Sequence, residues 1–281
     1  MTAVDWVDRA AREYRAGRPL LLLFDFDGTL APIVAHPILA VLPSTTRDLL
    51  AGLAALPHVA IGIISGRELG QLKERIGLSG LAYAGSGGMQ IELGGEHLVD
   101  EALAEFDKDS STIVATLTAA VSKYPGAWIE KKPGCLAIHH RSLQPLLSVC
   151  LQQEVRESLV CFLEEPPVIR LRDVCRALEI ALSDAWTKAD AIDRILAARE
   201  SDAYVVFAGD GANDEEAVAR VNALGGLTIG IGPDSPPGTT LRRANPEVLA
   251  ADLARLQKEI APAPSPALAK CARDAHCPVL T

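Results

Sequence analysis

The chain has 281 residues, 49% of them hydrophobic and 22% charged, which is enough apolar material for two compact domains and excludes a largely disordered protein. A formal net charge of -9 without a basic stripe argues against nucleic acid as a partner. Six cysteines without a C-x-x-C pair indicate reduced thiols, and the apolar run at 20–24 is too short for a signal or membrane segment, so we expect a cytoplasmic protein with no membrane partner.

The first part of the chain alternates predicted strands with predicted helices. Three short apolar runs predict strands buried on both faces of a sheet: 20–24, 59–64 and 81–84. Three segments with helical spacing predict helices: 1–18, 44–56 and 68–76. This alternation indicates an α/β unit with a parallel sheet.

The middle of the chain has a different rhythm. A hairpin is predicted at 90–99, around a Gly-Gly pair. Six elements then follow in the order helix, strand, strand, helix, strand, strand: 105–124, 128–132, 136–141, 144–162, 168–172 and 177–182. An insertion of this length indicates a small α+β (αββαββ) cap domain rather than a loop.

The alternation of predicted strands and helices returns after the insertion. Helices are predicted at 188–198 and 215–220, and buried strands at 204–208 and 227–231. We therefore predict an α/β fold in which a doubly wound parallel-sheet core carries the inserted cap. The predicted parts are as follows: the core at 1–104 and 184–260, the cap domain at 105–183, and a proline-rich flexible tail at 261–281.

Chemically useful side chains occur where predicted elements meet the same edge of the core sheet. Asp25 and Asp27 follow the first strand, Ser65 follows the second, and Lys188 opens the helix after the cap. A later strand ends in Gly209-Asp-Gly-Ala-Asn-Asp214. Because ligands of open α/β sheets bind outside the carboxyl ends of the strands, we expect these groups to converge.

This set of groups predicts phosphoryl transfer to a carboxylate. Asp25 is the expected nucleophile, forming an aspartyl-phosphate, and Asp27 is the expected general acid and then base, because Gly28 lets the chain turn sharply behind it. Ser65 and Lys188 would hold the phosphoryl oxygens. Magnesium, which prefers oxygen ligands, would offset the repulsion between carboxylate and phosphate. The predicted Mg²⁺ ligands are Asp25, Asp27, Asp210 and Asp214.

The order of these motifs resembles the haloacid dehalogenase superfamily of phosphatases. Within it, Asp25-Phe-Asp-Gly-Thr-Leu-Ala-Pro-Ile-Val-x-His-Pro37, Ser65-Gly-Arg67 and Trp186-Thr-Lys188 are similar to the motifs of the trehalose-6-phosphate phosphatase family. In the predicted cap, Glu130-x-Lys132, His139-x-Arg141 and Leu178-Glu179 resemble that family's sugar-binding strands. The resemblance spans about residues 18 to 256 and implies a Rossmann-like core, a class IIB cap and hydrolysis of trehalose 6-phosphate.

The cap pattern agrees with a sugar-binding role. Side chains alternate across a strand, so Glu130 and Lys132 share one face, as do His139 and Arg141. Closure of the cap would bring such a face to the substrate and exclude water. The expected substrate-binding residues are Arg67, Glu130, Lys132, His139, Arg141 and Glu179.

Alternative functions stay open at this point. Gly87 stands where the family has histidine, and the loop at 209–215 is closer to Cof-type sugar phosphatases and mannosyl-3-phosphoglycerate phosphatases. Another sugar phosphate, such as a glycosyl-3-phosphoglycerate or a hexose phosphate, is therefore the nearest alternative substrate. A non-catalytic sugar-phosphate sensor is the alternative from another class, and a signalling receiver is disfavoured by the inserted cap and Asp27. We expect a small-molecule sugar phosphate as the partner and favour a monomer.

Overall fold

The computed structural model describes residues 5–34, 37–164, 168–174, 177–199 and 202–262, except for the side chains of Pro37 and Asp109. The first four residues of the helix predicted at 1–18 lie outside this range, as does the tail predicted at 261–281 from residue 263 on. Two sheets organise the chain, an eight-stranded sheet in the core and a four-stranded sheet in the inserted part. The predicted fold, a doubly wound α/β core with an αββαββ cap, is confirmed.

The core sheet has the strand order β12-β11-β10-β1-β2-β3-β4-β5. Its strands from β12 to β3 run parallel, while β4 and β5 are added antiparallel at one edge. The strands are β1 (Leu20–Phe24), β2 (Val59–Ile64), β3 (Ala82–Gly85), β4 (Gln90–Leu93), β5 (Glu96–Val99), β10 (Tyr204–Gly209), β11 (Leu227–Ile231) and β12 (Leu241–Arg243). The strand β12 was not predicted because its three residues, Leu-Arg-Arg, carry no apolar run.

Every residue of β1 is buried, because helices cover both faces of this sheet. Leu20, Leu22 and Phe24 pack in the cluster that includes residues of α1, α2, α3 and α9, whereas Leu21 and Leu23 pack with α7 and α8. The helices are α1 (Trp6–Arg15), α2 (Ser44–Ala54), α3 (Leu69–Ile76), α7 (Lys188–Ala197), α8 (Glu215–Ala223) and α9 (Pro246–Ile260).

The cap is an antiparallel sheet with helices on one face. Its strand order is β6-β7-β9-β8, and α4 and α5 bury apolar side chains against it. Its elements are α4 (Glu101–Val121), β6 (Trp128–Lys132), β7 (Cys135–His139), α5 (Pro145–Ser158), α6 (Val160–Leu163), β8 (Ile169–Val174) and β9 (Ala177–Leu182). Three details differ from the predictions for the cap: α4 begins before residue 105, the helix predicted at 144–162 is divided at Leu159, and β7 ends at His139. Arg141 therefore lies in the turn after β7 and, contrary to the prediction, does not share a strand face with His139.

One buried carboxylate joins the two connections between core and cap. Asp100 caps α4 by accepting a hydrogen bond from the amide of Ala102 at 3.1 Å, and it also accepts one from the amide of Trp186, which precedes α7. A second link is the ion pair between Arg172 of β8 and Glu216 of α8. The open face of the cap sheet is thereby held above the core. No helix among the described residues is both long and apolar enough to cross a membrane.

Candidate active site

Three carboxylates meet at the carboxyl edge of the core sheet. Asp25 follows β1 and Asp210 follows β10, and these strands are neighbours in the sheet. Asp214 ends the short 3₁₀ turn at 212–214. One oxygen from each of the three carboxylates lies within 4.8 Å of the others. The convergence expected from the motif order is thus present in the structure.

Lys188 lies beneath these carboxylates and neutralises part of their charge. Its Nζ atom donates to Asp25 Oδ1 at 2.7 Å and to Asp214 Oδ1 at 2.6 Å, and its side chain is 3% exposed. Thr187 fixes the start of α7 because its hydroxyl accepts from the amides of Ala189 and Asp190. This N-cap fixes the first turn of α7 and therefore the position of Lys188, its first residue.

The pKa values show that the cluster lacks positive charge. Burial raises the pKa of Asp25 well above its ordinary value, against the opposing effect of Lys188. Burial, followed by the charge of Asp214, raises the pKa of Asp210 to about 7. Burial would lower the pKa of Lys188, but Asp214 and Asp25 outweigh it and hold that pKa above its ordinary value. One lysine therefore does not compensate three buried carboxylates.

The donor set fits a magnesium ion. Hard divalent cations take oxygen ligands, and Asp25, Asp210 and Asp214 offer carboxylate oxygens. The buried Oδ1 of Asn213 has no hydrogen-bond partner among the described residues, although Asn213 lines the same cavity as Asp25 and Asp210. Asn213 was not predicted from the sequence. Only its position beside the two carboxylates indicates a role at this site.

Asp27 lies apart from the three carboxylates. Arg67 holds it in a two-pronged ion pair, with Nε 2.7 Å from Oδ2 and a terminal nitrogen 2.7 Å from Oδ1. The Arg67 side chain is 9% exposed, while that of Asp27 is 41% exposed and faces the cavity. Ser65 is buried beside them, and its hydroxyl accepts from the amide of Arg67 at 3.3 Å.

Gly28 is required by the close approach of two loops, and its replacement should reduce turnover. Its φ is +84°, and a Cβ atom there would lie 2.0 Å from Asp210 Oδ2. We expect Gly28→Ala to displace that carboxylate and lower kcat/KM by about 10²-fold, a typical cost of an ångström-scale misplacement. Gly17→Ala is the matched control, because Gly17 has φ +87° and a Cβ atom there would have nothing within 4 Å. Equal losses of turnover in both variants, measured by phosphate release, would contradict the steric explanation.

A cavity of about 300 Å³ connects this site with the open face of the cap. From the core it is lined by residues that include Asp25, Asp27, Ser65, Arg67 and Asp210. The predicted sugar-binding residues of the cap all line it as well: Glu130, Lys132, His139, Arg141 and Glu179. Lys188 and Asp214 do not line the cavity, because both are buried behind its core wall. Lys188 donates to Asp25, and Asp214 accepts a hydrogen bond from the amide of Asp210. Ile33 and Val34 add an apolar section of wall that was not predicted.

The polar side chains of the cap are held in two pairs. Lys132 Nζ donates to Glu179 at 3.0 Å, and Glu130 lies 2.8 Å from His139 Nε2. These pairs fix the positions of four polar groups over the cavity. The arrangement offers both donors and acceptors to a polyhydroxylated molecule.

The fold is shared with solved structures of a haloacid dehalogenase-like hydrolase and of a phosphatase. The structure superposes on a haloacid dehalogenase-like hydrolase from Bacteroides thetaiotaomicron with a TM-score of 0.61, at 15% identity, covering 85% of this chain and all of that one (100%). It also superposes on the C-terminal domain of the trehalose-6-phosphate phosphatase of C. albicans with a TM-score of 0.78, at 21% identity, covering 90% of this chain and 96% of that one. Both likenesses concern the fold.

The family follows from the sequence. Residues 23–240 match the family model described as trehalose-phosphatase. The chain belongs to the trehalose-phosphatase family. It is 31% identical over 225 residues to probable trehalose-phosphate phosphatase 4 of Oryza sativa subsp. japonica, a match that covers 76% of this chain and 59% of that protein. The chain thus spans less than two thirds of the length of this relative.

Proposed function

We propose that the protein is a magnesium-dependent phosphatase that hydrolyses trehalose 6-phosphate to trehalose and phosphate. One observation carries the proposal: a single cavity joins the Asp25 and Asp210 carboxylates to the polar face of the cap. A phosphate ester of a sugar has the two matching parts, a charged group for the core and hydroxyls for the cap. Membership of the trehalose-phosphatase family supports the disaccharide as the sugar.

In the proposed first step, a carboxylate oxygen of Asp25 attacks phosphorus and the bond to the sugar oxygen breaks. Asp27 gives a proton to the leaving oxygen, and it takes a proton from the water that later cleaves the aspartyl-phosphate. Lys188 and Ser65 stabilise the charge on the phosphoryl oxygens. Asp25, Asp210 and Asp214 would hold Mg²⁺, with Asn213 beside them, and the bound ion supplies positive charge to the phosphoryl group. Asp27, predicted as a fourth ligand, pairs with Arg67 through its carboxylate.

The Asp27–Arg67 pair gives the acid a controlled position. Arg67 donates to both oxygens of the Asp27 carboxylate and so holds this side chain at the wall of the cavity. The phosphate of an arriving substrate offers Arg67 a competing anion, which would release Asp27 toward the leaving oxygen. The sugar hydroxyls would be bound over the same cavity by the polar residues of the cap: Glu130, Lys132, Glu179, His139 and Arg141.

A panel of phosphate esters tests the proposal. Trehalose 6-phosphate, glucose 6-phosphate, a glycosyl-3-phosphoglycerate and p-nitrophenyl phosphate are incubated with the protein with Mg²⁺ and with a chelator, and phosphate release is measured. We expect the highest kcat/KM for trehalose 6-phosphate and loss of turnover with the chelator. A higher kcat/KM for another sugar phosphate would make that ester the substrate in place of trehalose 6-phosphate. Binding without turnover of any ester would identify a sensor.

Magnesium should also stabilise the folded protein. A cation that binds the native carboxylates and not the unfolded chain shifts unfolding by mass action, by about 2.7 kcal/mol when its concentration is 100 times Kd. We therefore expect Mg²⁺ to raise the Tm of the wild type and to raise that of Asp210→Asn much less. Asp48→Asn, which alters an exposed carboxylate on α2, is the control. The same Mg²⁺-dependent rise of Tm in all three proteins would mean that the ion binds at another site.

We further propose a cytoplasmic location and a monomeric state. The support is compositional: cysteines that occur without C-x-x-C pairing, and a net charge of -9 that favours dispersed molecules. Sedimentation of the purified protein tests the second statement, because a dimer would sediment at about twice the monomer mass.

A further inference from the structure

The open face of the cap sheet carries its side chains in three rows that cross the four strands. The first row is largely apolar and consists of Trp128, His139, Ala177 and Val174. The second row contains Glu130, Ala137, Glu179 and Arg172. The third contains Lys132, Cys135, Ala181 and Arg170. The register therefore sets an apolar row alongside a row with two carboxylates.

Three members of the first row line the cavity, and Trp128 continues the row beyond them. His139, Ala177 and Val174 form part of the cavity wall. Trp128 is the partner of His139 in the register, and their rings stack with centroids 4.1 Å apart and planes 18° apart. Trp128 thus lies at the rim of the cavity, immediately beyond His139.

Trp128 keeps a large aromatic surface exposed in this position. It is 52% exposed, whereas its neighbour Ile129, on the other face of β6, packs against the apolar cluster of the cap. Exposed tryptophan at the edge of a cavity is typical of binding sites, since its rigid ring supplies contact area at small entropic cost. The stack on His139, which also pairs with Glu130, fixes the orientation of the ring.

We propose that Trp128 binds the apolar face of a sugar ring and helps to select the sugar part of the substrate. This inference rests on the proposed function. The C–H face of a pyranose carries partial positive charge and matches the negative face of an indole. His139 covers the indole face toward β7, so the sugar ring would lie on the opposite face, where Glu130, two residues along β6, accepts hydrogen bonds from hydroxyls at the ring edge. The ring so bound is the one farther from Asp25, because Trp128 lies at the rim while the phosphate must reach the core wall.

The test compares Trp128→Ala and Trp128→Phe with the wild type on two esters. One is the sugar phosphate with the highest kcat/KM, and the other is p-nitrophenyl phosphate, which lacks a sugar. We expect Trp128→Ala to lower kcat/KM for the sugar phosphate about five- to tenfold, chiefly through KM, and Trp128→Phe to restore most of it. Turnover of p-nitrophenyl phosphate should not change. Leu146→Ala is the control, because Leu146 is an exposed residue of α5, on the helix-covered side of the cap.

The outcomes separate this inference from the proposed function. Poor hydrolysis of trehalose 6-phosphate by the wild type would defeat the proposed substrate, and the comparison then proceeds on whichever sugar phosphate is preferred. An unchanged KM for that ester in Trp128→Ala would overturn the inference, as would equal losses on both esters or a preferred ester without a sugar. Fluorescence provides a second measurement: titration of Asp25→Asn with the preferred ester should change the emission, and the added Trp128→Phe substitution should remove that change.

Discussion

Replacement of Asp25 by asparagine should abolish turnover while leaving the protein folded. The amide has nearly the same shape as the carboxylate but is a much weaker nucleophile toward phosphorus. We expect kcat to fall on the order of 10⁴-fold or more, the scale of nucleophile removal in other hydrolases. Phosphate release from trehalose 6-phosphate with Mg²⁺ measures the effect.

Two measurements distinguish the loss of a nucleophile from the loss of folding: the Tm of the variant and the phosphopeptide of the wild type. Burial already makes the charged form of Asp25 costly, and the neutral amide relieves its repulsion with Asp214 and Asp210, so we expect Tm to change little. Rapid acid quenching of the wild type during turnover should give a phosphorylated peptide that contains residue 25. Asp48→Asn should keep full activity. Substantial turnover by Asp25→Asn, or a phosphopeptide from another part of the chain, would reject the mechanism.

Strand positions in the core could be predicted because burial on both faces leaves a continuous apolar run. Leu20–Phe24 is such a run, and the predicted strand coincides with β1. The carboxyl ends of parallel strands share one edge, so the position of Asp25 and Asp210 follows from the strand order alone. The strands of the cap could be predicted for a different reason, since their side chains alternate between the helix-covered face and the open face.

Pairing within the site could not be predicted from the sequence. The two-pronged contact of Arg67 with Asp27 joins loops that are distant in the chain, and spacing carries no information about it. Asp100 was missed because the helix was predicted to begin at residue 105, and because spacing carries no information about its hydrogen bond from the amide of Trp186, 86 residues away. The sequence pattern places Trp128 in a strand and no more, because its position at the rim depends on the register between β6 and β7.

Replacement of Lys188 by methionine should cost both turnover and stability. The side chains of Asp25 and Asp214 are 4% and 0% exposed, so the variant leaves two buried carboxylates without their cation. Breaking a buried ion pair in this way costs about 3–5 kcal/mol. Chemical denaturation in the presence of a chelator measures the change. Lys73→Met is the control, because the pair of Lys73 with Glu92 is partly exposed and should cost about 1 kcal/mol or less.

The double variant Asp25→Asn, Lys188→Met separates repulsion among the carboxylates from loss of packing. If unpaired charge dominates, removing one carboxylate recovers part of the lost stability, and the two substitutions couple by about 1–3 kcal/mol. Mg²⁺ should stabilise Lys188→Met more than the wild type, since the ion then supplies the missing positive charge. The turnover of Lys188→Met should nevertheless stay low in Mg²⁺, because a cation beside Asp210 does not replace the ammonium group that donates to both Asp25 and Asp214. Full recovery of turnover by Mg²⁺ would mean that Lys188 serves the fold alone.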